Sequence, residues 1–178
     1  TEIYTLSLHD ALPIWRRKQN YQDLPKNIDN ESYPKYYLRN FHHQTDGYLS
    51  DFSASIYDLQ VEILFNGSAD SMRRRILKPL KEGLNSFSNR KKSSLKILDV
   101  ATGSGRTLKQ LRGAFPKEKI IGLDLSGSYL KEASRFISDL DGDLIELVKG
   151  NAEELPFQDN SLRSEEHTSE LQSQPEIV

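Results

Sequence analysis

The sequence predicts an α/β fold: one half of a doubly wound parallel sheet, preceded by a helical N-terminal segment. Three observations carry this expectation. From Leu95 onward, short apolar runs alternate with amphipathic stretches of helical period. A glycine-rich turn, Gly103-Ser104-Gly105, joins the first such run to the first such helix. Polar residues then close three successive runs: Asp99, Asp124 and the Gly150-Asn151 pair. Strand–helix alternation of this kind builds βαβαβ units around a parallel sheet.

The elements follow in chain order. Trp15 to Asp51 is polar and aromatic, and Pro25 and Pro34 break any long helix there. Its densest aromatic run, Tyr33 to His43, holds Tyr33, Tyr36, Tyr37, His42 and His43. These side chains either cover a site or pack the N-terminal helices on the sheet. A helix is predicted over 53–65, with Ile56, Leu59 and Ile63 as its inner face and Asn66-Gly67 as its stop. A second is predicted over 69–84, with Met72, Ile76, Leu80 and Leu84 four apart. The triple arginine 73–75 beside that stripe reads as a solvated face ahead of an anion site.

Lys96 to Val100 is the first strand, and Arg106 to Ala114 the first helix of the α/β part, closed by Gly113 and Pro116. Lys119 to Leu125 is the second strand. Ser126 caps a helix whose inner face is Leu130, Ala133, Ile137 and Leu140. Asp141-Gly142 turns the chain, and Leu144 to Val148 is the third strand.

Composition removes several functions. The chain has 178 residues, about one domain. It carries 24 Lys+Arg against 26 Asp+Glu, a net charge of -2, which argues against a nucleic-acid partner. No apolar run has the roughly 18 to 20 residues a membrane helix needs, so no integral membrane segment is expected. The absence of cysteine excludes a thiolate metal site and a cysteine nucleophile. His9, His42, His43 and His167 lack the HExxH spacing, and no metal is expected.

The two ends differ in character from the middle. Residues 1–14, TEIYTLSLHDALPI, and residues 163–178, beginning RSEEHTSELQS, resemble translated adapter strings and stand outside the fold reasoning. Between them, 15–93 reads as an N-terminal cap with helices and 94–162 as a partial α/β domain.

The nucleotide-type features converge on one sheet edge. Glycines after the first strand let a ligand approach backbone, and the helix behind them offers free N–H groups. A dinucleotide fingerprint would place a third glycine at position 108, which is Leu108. Asp99 would repel a pyrophosphate and attract an ammonium group. Asp124 ends the second strand, where an acid accepts ribose hydroxyl protons.

The stretches ILDVATGSGR, GLDLSGSYLKEA and VKGNAEELPF resemble the successive motifs of class I S-adenosylmethionine-dependent methyltransferases, most closely the group holding ubiquinone and menaquinone C-methyltransferases. The resemblance covers Leu95 to about Asp159. It implies a Rossmann-like sheet, S-adenosyl-L-methionine as cofactor, and a small-molecule or lipid-like methyl acceptor. It further implies that Asp99 and the backbone from Gly103 to Gly105 hold the methionine moiety. Asp124 would bind the ribose hydroxyls, Leu125 would pack on the adenine, and Asn151 with the Ala152 backbone would read the adenine edge. Two positions depart from the family pattern: Ala101 replaces its first glycine and Asn151 its usual aspartate.

The family sheet has seven strands, with the first between the second and the fourth. Here the resemblance stops before the fourth, so the expectation is a chain holding the cofactor half of a site and inactive by itself. Its first strand would then be an open edge prone to association. No catalytic base and no specific protein partner can be named. A cytoplasmic or plastid-stromal location is expected. Two other readings compete: a NAD-type oxidoreductase fragment, opposed by Asp99 and Leu108, and a non-catalytic interaction module.

Overall fold

The computed structural model describes residues 29, 33–38, 47–86, 96–140 and 144–158. The expected turn at Asp141-Gly142, His42, His43 and both end segments lie outside the described residues. Three strands form a parallel sheet in chain order: β1 (Lys96–Val100), β2 (Lys119–Asp124) and β3 (Ile145–Lys149). Ile97 pairs with Ile120 and Ile120 with Ile145, so the registers run level across the sheet. β2 is apolar on both faces because it is the middle strand, and Ile120 to Asp124 are all buried. Among the described residues, β1 and β3 are the two edges. The sheet and its crossover helices make an α/β, Rossmann-like unit.

Two helices make the crossovers. α4 (Arg106–Ala114) buries Leu108 and Leu111 and leads to Phe115, a helical stripe that meets Ile97 and Ile120 in the core. Each such leucine contributes about 1.5–3 kcal/mol by leaving water. Its inner face needs room on the strand. A Cβ on Gly122 would lie 2.8 Å from Leu108 Cδ1, so glycine at the centre of β2 admits the leucine. The close helix–strand approach that a dinucleotide site obtains from a glycine on the helix is obtained here from one on the strand. α5 (Gly127–Phe136) is capped by Ser126, whose Oγ accepts the Tyr129 N–H at 3.3 Å. It buries Tyr129 and Ala133, with Ile137 against the core.

The N-terminal part departs from the expected pattern twice. α1 (Asp51–Leu64) starts at the Ser50 cap and stops at Asn66-Gly67, both residues with positive φ. Two of its three expected inner residues face outward, however: Leu59 is 64% and Ile63 68% exposed, while Ile56 is half-buried. The buried side is Ser53 and Ala54, continuing through half-buried Tyr57, Asp58 and Val61. Both stripes have helical spacing, and periodicity alone cannot choose between them. The expected single helix over 69–84 is broken into α2 (Ala69–Arg73), a 3₁₀ turn (Arg74–Ile76) and α3 (Leu77–Ser86). Pro79 explains the break. It has no N–H for the Arg75 carbonyl and its ring crowds that turn. Leu77, Leu80 and Leu84 reach the core, whereas Met72 stays exposed.

Arg73 alone departs from the solvated reading of the triple arginine. It pairs with Asp70 at 2.9 Å and Glu62 at 3.7 Å, while Arg74 and Arg75 are exposed. At the lower end of the sheet, Arg112 is buried and donates to the carbonyls of Pro116, Glu118 and Leu144. One guanidinium thereby ties α4 to the starts of β2 and β3.

Candidate cofactor site

The carboxyl ends of the three strands form the edge where parallel sheets of this kind hold ligands. After β1 the chain turns through three residues of left-handed conformation: Ala101 at φ 58°, Gly103 at 56° and Gly105 at 82°. Gly105 is doubly constrained, since a Cβ there would stand 3.0 Å from Ala133 Cβ on α5. Ala101 adopts the same region with a side chain, at a cost of roughly 1–2 kcal/mol. The loop is pinned by the Thr102 N–H to the Leu123 carbonyl at 2.9 Å.

Two carboxylates lie beneath this loop, Asp99 at 7% and Asp124 at 8% exposure. Thr102 Oγ1 donates to Asp99 Oδ2 at 2.6 Å. Asp124 accepts the Gly103 N–H on Oδ2 and the Ser126 N–H on Oδ1, each at 2.8 Å. Its carbonyl accepts the Gly150 N–H at 3.0 Å, which carries the third strand end into the same place. There Asn151 Oδ1 accepts the Glu153 N–H at 3.0 Å, an Asx turn, and a bridge joins Asn151 to Glu154. Leu125, Asn151 and Ala152 are half-buried, whereas Ala101 is exposed.

Tyrosines close this edge from the N-terminal side. Tyr37 packs on Tyr33 and Tyr48, and Tyr48 and Tyr57 both meet Tyr129 edge-on. Burial first, and the Asp124 charge next, push the Tyr37 phenol far up, with Ser126 hydrogen bonding acting the other way. Tyr37 therefore stays neutral beside Asp124. Tyr36 is also raised, by burial and then by Glu153. The Lys149 ammonium lies 5.1 Å from the Tyr33 ring centroid and donates to its hydroxyl at 3.2 Å.

Sequence reasoning missed Thr102, Asp58, Tyr48, Tyr57 and Tyr129. Thr102 stood inside the quoted loop motif and could have been found there. Asp58 and Tyr57 carried a weaker signal, the alternative stripe on α1. A recess of about 200 Å³ lined by Lys81, Leu84, Phe115 and Pro116 lies at the opposite sheet end and takes no part in the site. Among the described residues, no group of three or more His, Asp or Glu side chains is placed to hold a metal. No helix among them is long and apolar enough to cross a membrane.

Comparison with known proteins adds to this geometry. Residues 97–164 match the family model of the methyltransferase domain. The chain is 33% identical over 113 residues to a demethylmenaquinone methyltransferase of Thermotoga maritima, covering 64% of this chain and 43% of that protein. It is 38% identical over 71 residues to a demethylmenaquinone methyltransferase of Bacillus cereus, covering 39% of this chain and 30% of the relative. The chain thus spans less than half the length of either relative. Among solved structures, a SAM-dependent methyltransferase from Aquifex aeolicus matches at 22% identity with a TM-score of 0.37, covering 48% of this chain and 44% of that one. Residues 97–164 are therefore similar to the methyltransferase domain.

Proposed function

We propose that the protein binds S-adenosylmethionine along this strand-end edge for methyl transfer to a small-molecule or lipid-like acceptor, with this chain holding the cofactor half of the site. One observation carries the reading. Two buried carboxylates, Asp99 and Asp124, flank a glycine loop at adjacent strand ends. That donor-seeking pair fits a ligand rich in donors, with an ammonium group and a ribose diol. It does not fit a pyrophosphate at the loop, which the Asp99 charge would repel. Leu108 filling the space beside Gly122 weighs against the dinucleotide reading in the same direction.

In this assignment Asp99 and the Gly103–Gly105 loop hold the methionine end. Asp124 takes the ribose hydroxyls. Leu125 packs on the adenine, and Asn151 with the Ala152 backbone meets its edge. When bound, the cofactor supplies an electrophilic methyl group on sulfur. The residues of this chain bind it, orient it and exclude water. Such positioning is worth roughly 7–11 kcal/mol in favourable cases. The tyrosines offer aromatic faces that attract a cation. The names of the Thermotoga and Bacillus relatives point to a quinone-like lipid as the kind of acceptor. A cytoplasmic or stromal location suits that role.

Calorimetric titration with S-adenosylhomocysteine and with NAD tests the reading. Binding of the first and none of the second is expected. Tighter binding of NAD would remove it.

A further inference from the structure

Helix α1 grips the glycine loop through one side chain distant in sequence. Ser104 Oγ donates to Asp58 Oδ1 at 2.7 Å, and Arg106 Nε donates to Oδ2 at 2.8 Å. Arg73 Nη2 stands 3.9 Å from the same carboxylate. Ser104 is the middle residue of Gly103-Ser104-Gly105 and is itself buried, and Arg106 opens α4. Tyr57, the preceding residue of α1, packs at 5.3 Å on Tyr129. The Tyr129 ring in turn flanks Gly103, with its Cδ1 3.9 Å from where a Cβ would stand. Two consecutive residues of α1 therefore brace the loop, one by charge and one by packing.

We propose that Asp58 is a positioning residue for the cofactor. It sets the conformation of the Gly103–Gly105 loop and makes the N-terminal helical segment part of the cofactor site. The proposal rests on the reading that this loop holds S-adenosylmethionine. The physical reason is entropic. A loop with two glycines in left-handed conformation has many alternatives, and a ligand that must order it binds more weakly. Asp58 uses both oxygens, one on the loop and one on the first residue of the helix behind it. The junction is thereby ordered before any ligand arrives.

The test compares Asp58→Ala, Asp58→Asn and Asp51→Ala in the full chain. Asp51 pairs with Lys131 and so also ties α1 to α5, without touching the loop. Titration with S-adenosylhomocysteine should show affinity about tenfold weaker for Asp58→Ala. Asp58→Asn keeps an acceptor for Ser104 and should lose only about threefold. Asp51→Ala should bind as wild type does. Without ligand, amide exchange at Gly103 and Gly105 should quicken about tenfold in Asp58→Ala while the β2 amides keep their rates. Unchanged exchange at the loop overturns the proposal. So does an equal loss of affinity in Asp51→Ala, which would assign the effect to helix docking in general. A wild type that binds neither S-adenosylhomocysteine nor S-adenosylmethionine removes the cofactor reading instead, and loop exchange then decides separately whether Asp58 sets the loop.

Discussion

The Gly103 N–H donates to Asp124 Oδ2 at 2.8 Å, fastening the loop that leaves β1 to the end of β2. The other oxygen of the same carboxylate accepts the Ser126 N–H and so holds the start of α5. A side chain proposed to bind the ribose is thus also a structural strut between two loops.

Asp124→Ala should lose about 1.5–3 kcal/mol of S-adenosylhomocysteine affinity, the scale of hydrogen bonds to a charged group. It should also lower the melting temperature, because two loop N–H groups lose their acceptor. Asp124→Asn is milder only in part: it keeps one acceptor and turns an amide NH₂ toward the other N–H. Calorimetry and thermal melting on both variants check this. Unchanged affinity in Asp124→Ala would reduce the residue to its strut role.

Ala101→Gly should stabilise the protein. Relief of left-handed strain returns roughly 1–2 kcal/mol, and the added freedom of glycine in the unfolded chain takes back roughly 0.5–1 kcal/mol. A rise in the urea midpoint with an unchanged slope is the expected result. A fall would mean that the alanine methyl makes a contact worth more than the strain.

Gly105→Ala should be costly for two separable reasons. The left-handed φ costs roughly 1–2 kcal/mol, and the contact with Ala133 adds overpacking of about 1–3 kcal/mol. Adding Ala133→Gly should recover much of the second part, the Ala133 Cα at 3.2 Å remaining, and leave the first. Urea unfolding of the single and double variants measures both. Full recovery would show that only the contact mattered.

Alkaline stability should depend on Tyr37. Its folded pKa is raised above the ordinary 10.0. Below that value the phenol is neutral in both states and stability is level. Above it the unfolded chain gives up the proton that the folded chain keeps, so stability falls as pH rises. Tyr37→Phe should flatten the decline above about pH 10, read from melting temperatures across pH. An equally steep decline in the variant would place the sensitivity on other groups.

The α/β half was legible because its signals are local. β1 and α4 match their expected bounds, β2 ends one residue early, and β3 is displaced by one residue at both ends. Asp99, Gly103, Gly105, Asp124 and Asn151 come together because the sheet order places their strand ends side by side. The N-terminal part was less legible for a physical reason. Whether α1 turns Leu59 or Tyr57 inward depends on what lies beneath it, and that is the distant loop held by Asp58. The break before α3 was written in Pro79 but masked by the four-residue spacing of Met72, Ile76, Leu80 and Leu84.

The level order of β1, β2 and β3 bears on synthesis as well as on stability. Each strand pairs with the one made just before it, so no strand must slide between two that are already joined. Both ladders can close vectorially while the ribosome is still at work, with loop closures no longer than one crossover helix. A nascent chain whose residue 158 has cleared the exit tunnel is expected to shield β1 to β3 from protease. Cleavage throughout that stretch until release would show that the sheet waits for sequence translated later.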